Sequence, residues 1–349
     1  MSPETQTALP LNAKFGDFVL DTIPVPSPGR EEVLVKVTSA ALNPVDWKIQ
    51  KYGWWIEKYP SVFGTDLAGE VVKLGEGVST FEIGDKVFFQ GSYVHSEYNG
   101  FQQYALADIH TIAKIPSNVS VDEAATIPVT ITAAYVAFYS SKPNGLGLKS
   151  PVVPGGKGKY SGTPVVVLGG ASSVGQFAIQ LAKLSGFSPI ITTASLKHAE
   201  FLKSLGATDV VDRNVPPTKE NIQKLSEKPV EIVFDSIASS QTQEDGLNIL
   251  GSGGELVTVL EIEERLLKKA AAQNTEMVHA LGLKTLPFHV ELLREFWAHA
   301  TELLESGDIK PNRVEVLPNG LKAVTGGLER LFNNKVSGVK LVVRPQESA

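Results

Sequence analysis

Short apolar runs separated by turn residues fill the first third of the chain. In the segment EEVLVKVTSAAL three valines alternate with a leucine, a lysine and a threonine, and this period of two residues indicates a β-strand. Similar runs occur in LAGEVVKLG and GDKVFFQGS, with glycines at the intervening turns. We therefore predict a compact, barrel-like antiparallel β domain over residues 1–127.

A helix start and then an alternation of strand and helix patterns follow. Ser120 and Glu123 form a capping-box pattern, and the alternation beyond them predicts a parallel sheet covered by helices on both faces. The predicted strands are 164–168, 188–194, 209–212, 230–236 and 254–260, the last of which closes the series. The predicted helices between them are 174–185, 197–205, 218–227 and 241–250.

The end of the chain returns to the pattern of its beginning. We predict a helix over 289–307, a strand in KPNRVEVLP, a helix in LKAVTGGLERLFNN and a last strand within 337–345. The segment 143–163 is rich in proline and glycine and is predicted to be a surface loop.

The segment VVVLGGASSVGQFAIQLAK joins a strand, a turn of small residues and a helix. In the G-x-G-x-x-G motif such a turn binds the phosphates of a dinucleotide, although its middle glycine is Ser172 here. The unpaired N–H groups of the helix start attract a pyrophosphate. A tight turn without a ligand is the alternative, but the further strand–helix units favour a cofactor site. The predicted contacts are Gly170, Ala171, Ser172, Ser173, Val174 and Gly175.

The end of the second strand of this region selects the dinucleotide. An NAD site requires Asp or Glu about 20 residues after the glycines, to bind the ribose 2′-hydroxyl. The segment TTASLKHAE offers hydroxyls and cations there, with no acid before Glu200. These groups fit a 2′-phosphate and favour NADPH, although a solvated helix start explains them as well. The predicted contacts are Thr193, Ser195, Lys197, His198 and, after the third strand, Arg213.

Composition narrows the possible functions. The 349 residues suffice for two domains with a large core, and the net charge of −6 without blocks of like charge argues against nucleic acid or an anionic membrane as partner. The chain has no cysteine, which excludes disulfides, thiolate metal sites and cysteine nucleophiles. No secretory signal or membrane-spanning run is recognisable. We expect a cytoplasmic protein that acts on a small-molecule substrate.

Several segments together resemble the medium-chain dehydrogenase/reductases. They are SAALNPVDWKIQKYG, VFGTDLAGEVVKLGEGVSTFEIGDKV, GGASSVGQ and SLGATDVVD. The likeness is greatest to the zinc-independent quinone oxidoreductase and enoyl reductase branch, especially the ToxD-like trans-acting enoyl reductases of fungi. It implies a Rossmann domain, predicted as 128–302, inserted into a GroES-like β-barrel catalytic domain made of 1–127 and 303–349. It also implies a ligand cleft between the domains, and a monomer or homodimer.

The resemblance bears on metal binding as well. Zinc members carry a metal-ligating cysteine early in the chain and a Gly-His-Glu motif later. The corresponding places here hold Asn43 and Gly64–Asp66, and no two of the six histidines have H-x-x-x-H spacing. We therefore expect no catalytic metal.

The resemblance also implies individual site residues. Lys48 and Thr132 are expected to lie beside the cofactor and to take part in catalysis, and main-chain contacts to the nicotinamide are expected at Val259 and Leu260. Asn43 is a further catalytic candidate, although Asn-Pro is also an ordinary turn. Tyr52 is the last catalytic candidate and is expected to donate a proton or to form a wall of the substrate site. Packing against other aromatic side chains is the alternative.

Without a metal, the natural reaction is hydride transfer from NADPH to a polarised acceptor. The expected acceptor is an activated C=C, as in an enone or enoyl thioester, or a quinone. The alternatives are a metal-free carbonyl reductase or alcohol dehydrogenase and a non-catalytic NADPH-binding scaffold protein. The cofactor motif alone does not separate these functions.

Overall fold

The computed structural model describes residues 3–348, and internal contacts divide the chain into two units. The first unit comprises the chain up to Val129, Trp297–Ser306 and the chain from Pro311 onward. The second unit comprises Thr130–Phe296 and Gly307–Lys310.

The first unit is built mainly on strands. In its N-terminal part these are β1 (Thr5–Ala8), β2 (Pro10–Leu11), β3 (Asp21–Pro24), β4 (Glu32–Ala41), β5 (Ser61–Val62), β6 (Asp66–Leu74), β7 (Lys86–Gln90), β8 (Tyr104–Asp108) and β9 (Ile112–Lys114). The helices are α1 (Pro44–Tyr52), α2 (Val121–Ala124) and the start of α3 (Pro128–Tyr139). Ser120 and Glu123 form the predicted capping box at the start of α2.

The second unit alternates strands and helices. Its elements are β10 (Val165–Leu168), α4 (Ser173–Ser185), β11 (Ile190–Ala194), α5 (Ala199–Leu205), β12 (Asp209–Asp212), α6 (Lys219–Ser226), β13 (Ile232–Asp235), α7 (Ser240–Ile249), β14 (Glu255–Thr258), α8 (Glu264–Ala272) and β15 (Glu276–His279). All six strands are parallel, in the order β12-β11-β10-β13-β14-β15. The strand order reverses between β10 and β13, and in such sheets ligands bind beyond the carboxyl ends of the strands at this reversal.

The C-terminal elements complete the first sheet. They are α9 (Val290–Glu305), β16 (Val314–Val316), α10 (Val324–Phe332) and β17 (Lys340–Val343). Strand β17 pairs antiparallel with β4, and the resulting seven-stranded sheet has the order β16-β17-β4-β6-β7-β9, with β8 also paired to β4. Both ends of the chain contribute apolar side chains to one core, for example Val35, Phe89 and Leu341.

One prediction about the parallel sheet was wrong. The strand predicted over 254–260 does not close the series, because α8 and the sixth strand β15 follow it. Strand β15 has only four residues, lies at the sheet edge and is mostly unburied. Its sequence EMVH therefore lacks the continuous apolar run that marks a central parallel strand.

Candidate active site

The turn between β10 and α4 has no space for side chains at its glycines. Gly169 has a φ of 81°, in the left-handed region that favours glycine. A Cβ at Gly170 would lie 2.1 Å from Oγ1 of Thr192, and one at Gly175 would lie 2.4 Å from the carbonyl oxygen of Gly169. The glycines therefore allow the strand, the turn and the helix to approach each other closely.

Ser172 holds this turn in place. Its Oγ accepts the N–H of Gly175 at 2.9 Å, as the N-cap of α4, and donates to Oγ of Ser236 at 2.9 Å. Ser236 in turn donates to the carbonyl oxygen of Leu168 at 2.7 Å. The hydroxyl proton of Ser172, one of the predicted cofactor contacts, therefore joins the two loops at the strand-order reversal and is not available to a phosphate.

Backbone donors remain for an anion. Among residues 3–348 the N–H groups of Ala171, Ser173 and Val174 have no hydrogen-bond partner. Ser173 and Val174 begin a helix of 13 residues, so their N–H groups lie at its positive end. Free amides beside a turn that only glycine can form fit the pyrophosphate of a dinucleotide.

Two predicted contacts at the end of β11 have structural roles. Thr193 is buried, and its Oγ1 accepts the N–H of Gly169 at 3.0 Å. The side chain of His198 was expected to be accessible to the cofactor at the sheet edge. It is only 6% exposed, so its ring is not accessible there. Ser195 is half-buried and precedes the short 3₁₀ helix Leu196–His198.

Two cations are accessible at this edge. Lys197 and Arg213 are both exposed, and within the described chain neither forms an ion pair. The backbone N–H of Arg213 donates to the carbonyl oxygen of Ala194 at 2.9 Å, which fixes Arg213 beside the end of β11. The nearest acid in register is Asp212, opposite Ala194, and its Oδ1 accepts two hydrogen bonds from Asn214.

The ends of β13 and β14 complete this edge of the sheet. Asp235 is buried and accepts the N–H groups of Ile237 and Ala238 and the hydroxyl of Thr242, so it organises the loop after β13; burial raises the pKa of its carboxyl. The predicted backbone contacts Val259 and Leu260 directly follow β14.

Two threonines of the second unit have unsatisfied hydroxyls. Oγ1 of Thr132, in α3, and Oγ1 of Thr258, the last residue of β14, are buried and have no hydrogen-bond partner among the described residues. A buried hydroxyl without a partner costs about 1–3 kcal/mol, so a ligand that hydrogen-bonds it gains affinity. Thr132 is fully buried, and contact between its hydroxyl and a cofactor requires a local rearrangement.

Lys48, in the first unit, is an unpaired cation among aromatic rings. It is half-buried, and its Nζ lies 5.7 Å from the ring centroid of Trp47 and 5.8 Å from that of Trp54. No carboxylate of the described residues pairs with it, and burial lowers the pKa of Lys48. Such an ammonium group can donate a hydrogen bond or a proton to a ligand.

A row of aromatic side chains surrounds this lysine. Tyr52 is 52% exposed, with its ring 5.8 Å from that of Trp47 and 5.4 Å from that of Trp54. The row continues from Trp54 to Trp55 at 5.5 Å and from Trp55 to Tyr93 at 5.9 Å. These contacts are aromatic packing, the alternative considered for Tyr52, and its roles as proton donor or substrate wall stay predictions.

Asn43 lies in a buried polar cluster of the first unit. It is the N-cap of α1; its Nδ2 donates to Oδ2 of Asp66 at 2.8 Å, and its Oδ1 accepts from Nζ of Lys340 at 2.7 Å. The N–H of Asn43 donates to Oδ2 of Asp46 at 2.8 Å, and burial raises the pKa of Asp46 to about 7. Both polar atoms of the Asn43 amide are engaged, so we revise its predicted catalytic role to a structural one.

Comparison with known proteins identifies the family. Residues 29–117 match the family model of the alcohol dehydrogenase GroES-like domain, and residues 173–264 match that of the zinc-binding dehydrogenases. A trans-enoyl reductase of Alternaria alternata is 31% identical over 351 residues, which cover 97% of this chain and 99% of the relative. The chain belongs to the medium-chain dehydrogenase/reductase family. A trans-enoyl reductase of Aspergillus japonicus is 32% identical and covers 91% of this chain and 90% of its own length.

Solved structures agree with this assignment. An alcohol dehydrogenase superfamily protein from Novosphingobium aromaticivorans superposes with a TM-score of 0.80 at 22% identity, covering 97% of this chain and 99% of its own. A quinone oxidoreductase from Coxiella burnetii superposes with a TM-score of 0.75 at 25% identity, and the match covers 97% of this chain and 99% of that protein. The predicted family and the predicted fold class, GroES-like plus Rossmann, are confirmed. As a medium-chain dehydrogenase/reductase the protein is an oxidoreductase, and this family uses a nicotinamide dinucleotide.

The family includes zinc enzymes, but the residues present here do not fit a catalytic zinc ion. Zinc takes cysteine, histidine and carboxylate ligands. The chain has no cysteine, and no three His, Asp or Glu side chains within residues 3–348 are grouped to hold an ion. Asn43 and Asp66, in the segments where the resemblance implies the zinc-ligand motifs, bind the ammonium group of Lys340.

None of the helices between residues 3 and 348 is long and apolar enough to cross a bilayer.

Two residues of the site were missed by sequence reasoning. Ser236 is the last residue of the strand predicted over 230–236, in an ordinary DS sequence, and no local pattern reveals its bond to Ser172. Lys340 begins the apolar strand KLVV, and a lysine at a strand end usually lies in solvent. The sequence does carry one signal for the burial of Lys340: this lysine has apolar neighbours on both sides in a predicted strand.

Proposed function

We propose that this protein reduces activated carbon–carbon double bonds, in enones or enoyl thioesters, with NADPH as hydride donor; quinones are the second acceptor class. The observation that carries the proposal is the half-buried ammonium group of Lys48 between two indole rings, where no carboxylate of residues 3–348 pairs with it. The trans-enoyl reductases of Alternaria and Aspergillus, similar over nearly the whole chain, support this acceptor.

NADPH, when bound, supplies a hydride that adds to the β-carbon of the acceptor. The electron pair of the C=C bond moves towards the carbonyl oxygen, where negative charge develops. Lys48 donates a hydrogen bond to that oxygen, and the low-dielectric surroundings strengthen the interaction. A proton from solvent then adds at the α-carbon. The lowered pKa of Lys48 makes it a stronger donor than an exposed lysine.

The accessible charges after β11 and β12 support NADPH over NADH. Lys197 and Arg213 are exposed and unpaired in the described chain, whereas Asp212 is hydrogen-bonded to Asn214. Two cations fit a 2′-phosphate, whereas the 2′-hydroxyl of NADH is usually bound by an acidic residue. The backbone amides of Ser173 and Val174 bind the pyrophosphate in this proposal.

The test is NADPH consumption with enones, enoyl thioesters, quinones, aldehydes and ketones, with and without a chelator. We expect turnover with the first three classes and no effect of the chelator. Turnover only with simple aldehydes or ketones supports the carbonyl reductase alternative. Tight NADPH binding without turnover on any acceptor supports the scaffold alternative.

A further inference from the structure

Lys340 is an unusually buried cation. Its side chain is 3% exposed, and it is the one lysine or arginine among residues 3–348 that is classed as buried. Its Nζ lies 2.6 Å from Oδ2 of Asp66, which is 0% exposed, and 2.7 Å from Oδ1 of Asn43. Burial of a charge is costly unless partners such as these surround it.

The cluster joins four separate elements of the chain. Lys340 begins β17, Asp66 begins β6 and Asn43 caps α1. Oδ1 of Asp66 also accepts the N–H of Val129 at 2.6 Å, in the first turn of α3. Since Lys340 lies 297 residues beyond Asn43, this contact forms only in the folded protein.

The helices that start at this cluster carry Lys48, which takes part in the proposed reaction, and Thr132, which the resemblance predicts to lie beside the cofactor. Lys48 lies five residues after the N-cap Asn43 on α1, and Thr132 lies three residues after Val129 on α3. Because a helix is stiff over such a distance, the position of its first turn sets the position of these side chains.

We infer that Lys340 is a positioning residue: through its hydrogen bond to Asn43, the N-cap of α1, it holds α1 so that Lys48 is correctly oriented. The inference rests on the proposed function for its effect on the rate. Its structural part, the effect of Lys340 on the surroundings of Lys48, is measurable without turnover.

The single variant Lys340→Met leaves Asp66 as a buried, unpaired carboxylate and is expected to fold poorly. The double variant Lys340→Met with Asp66→Asn removes both charges, and the amide of Asn43 can turn over so that its oxygen accepts from the new amide. The new side chain at position 66 can still accept the N–H of Val129. This double variant is therefore the informative protein. Lys269→Met, which breaks a pair with Glu244 at 2.7 Å elsewhere in the chain, is the matched control.

The first measurement is steady-state kinetics at saturating NADPH. We expect the double variant to stay folded and to bind NADPH as before, with an unfolding temperature below that of the wild type because the turned amide of Asn43 leaves its Nδ2 without an acceptor. Its kcat with an enone should fall by at least about tenfold, because a displaced catalytic group loses rate without losing cofactor affinity. The control should keep the wild-type kcat. A folded double variant with wild-type kcat and KM overturns the inference.

The second measurement is the pH dependence of acylation of Lys48, read by mass spectrometry of the labelled peptide. In the wild type we expect Lys48 to react at lower pH than the exposed Lys268, because burial lowers the pKa of Lys48. In the double variant this difference should shrink. An unchanged labelling profile in the folded double variant overturns the inference even if the wild type reduces none of the acceptors, an outcome that would refute only the proposed function.

Discussion

Gly175→Ala tests the cofactor turn with the smallest possible change. The added Cβ would lie 2.4 Å from the carbonyl oxygen of Gly169 and 2.8 Å from Cα of Gly170. Both are backbone atoms, and ordinary contacts of a Cβ begin at 3.4 Å. The first turn of α4 must therefore move away from the strand end by about 1 Å, because close-packed interiors yield little.

The magnitude follows from this geometry. Overpacking of this kind costs about 1–3 kcal/mol, and replacing glycine by alanine within a helix returns about 1 kcal/mol. We expect the free energy of unfolding to fall by no more than about 2 kcal/mol. The amides of Ser173 and Val174 move with the helix, and a hydrogen bond to a charged group is worth about 1.5–3 kcal/mol. Loss of one such bond weakens NADPH binding about tenfold to a hundredfold.

The assay is calorimetric titration of NADPH into the folded variant, beside urea unfolding. Gly326→Ala is the control, since Gly326 also lies within a helix and a Cβ there meets nothing within 4 Å. The control should bind NADPH as the wild type does, with unchanged or slightly increased stability. Wild-type affinity in folded Gly175→Ala would refute the assignment of this turn to the pyrophosphate.

Three further substitutions test other parts of the account. Lys197→Glu should weaken NADPH by about 1–3 kcal/mol and leave NADH nearly unaffected in binding titrations, whereas Lys203→Glu should change neither; equal losses for both dinucleotides argue against the 2′-phosphate site. Lys48→Met should lower kcat/KM with an enone by about tenfold to a thousandfold, and Lys51→Met on the same helix should not; equal rates for the two variants contradict the role of Lys48. Asp46→Asn should remove a pH dependence of stability, because folding raises the pKa of the Asp46 carboxyl from 3.8 to about 7. As pH rises from about 4 to about 7, the free energy of unfolding of the wild type relative to the variant should therefore fall by about 4 kcal/mol. Urea unfolding that gives a constant difference across this range excludes a raised pKa.

The parallel sheet and its helices could be predicted from local sequence patterns. Each of its central strands is an apolar run followed by an amphipathic helix, and the strand predicted at 209–212 has those bounds in the structure. The edge strand β15 was missed because an edge position needs few apolar residues. In β4 the alternation indicated the strand but not its burial: Leu34, on the face expected to be polar, is buried, as are most residues on both faces of this strand.

Site residues could be predicted from the sequence only where they are adjacent in the chain. The glycines of the turn and the cations after β11 belong to short motifs. The cap formed by Ser172 with Ser236, and the bonds from Lys340 to Asn43 and Asp66, join residues 64 or more positions apart. Such partners depend on how strands are ordered in a sheet, which a local pattern does not specify.

The most direct test of the central claim follows the hydride itself. NADPH deuterated at C4 of the nicotinamide, in the stereoisomer that the enzyme uses, is mixed with an enone or enoyl thioester in the presence of a chelator, and the product is analysed by NMR and mass spectrometry. We expect one deuterium at the β-carbon for each NADPH oxidised, and a solvent-derived hydrogen at the α-carbon. Deuterium at a carbonyl carbon, or no transfer until zinc is added, would contradict it.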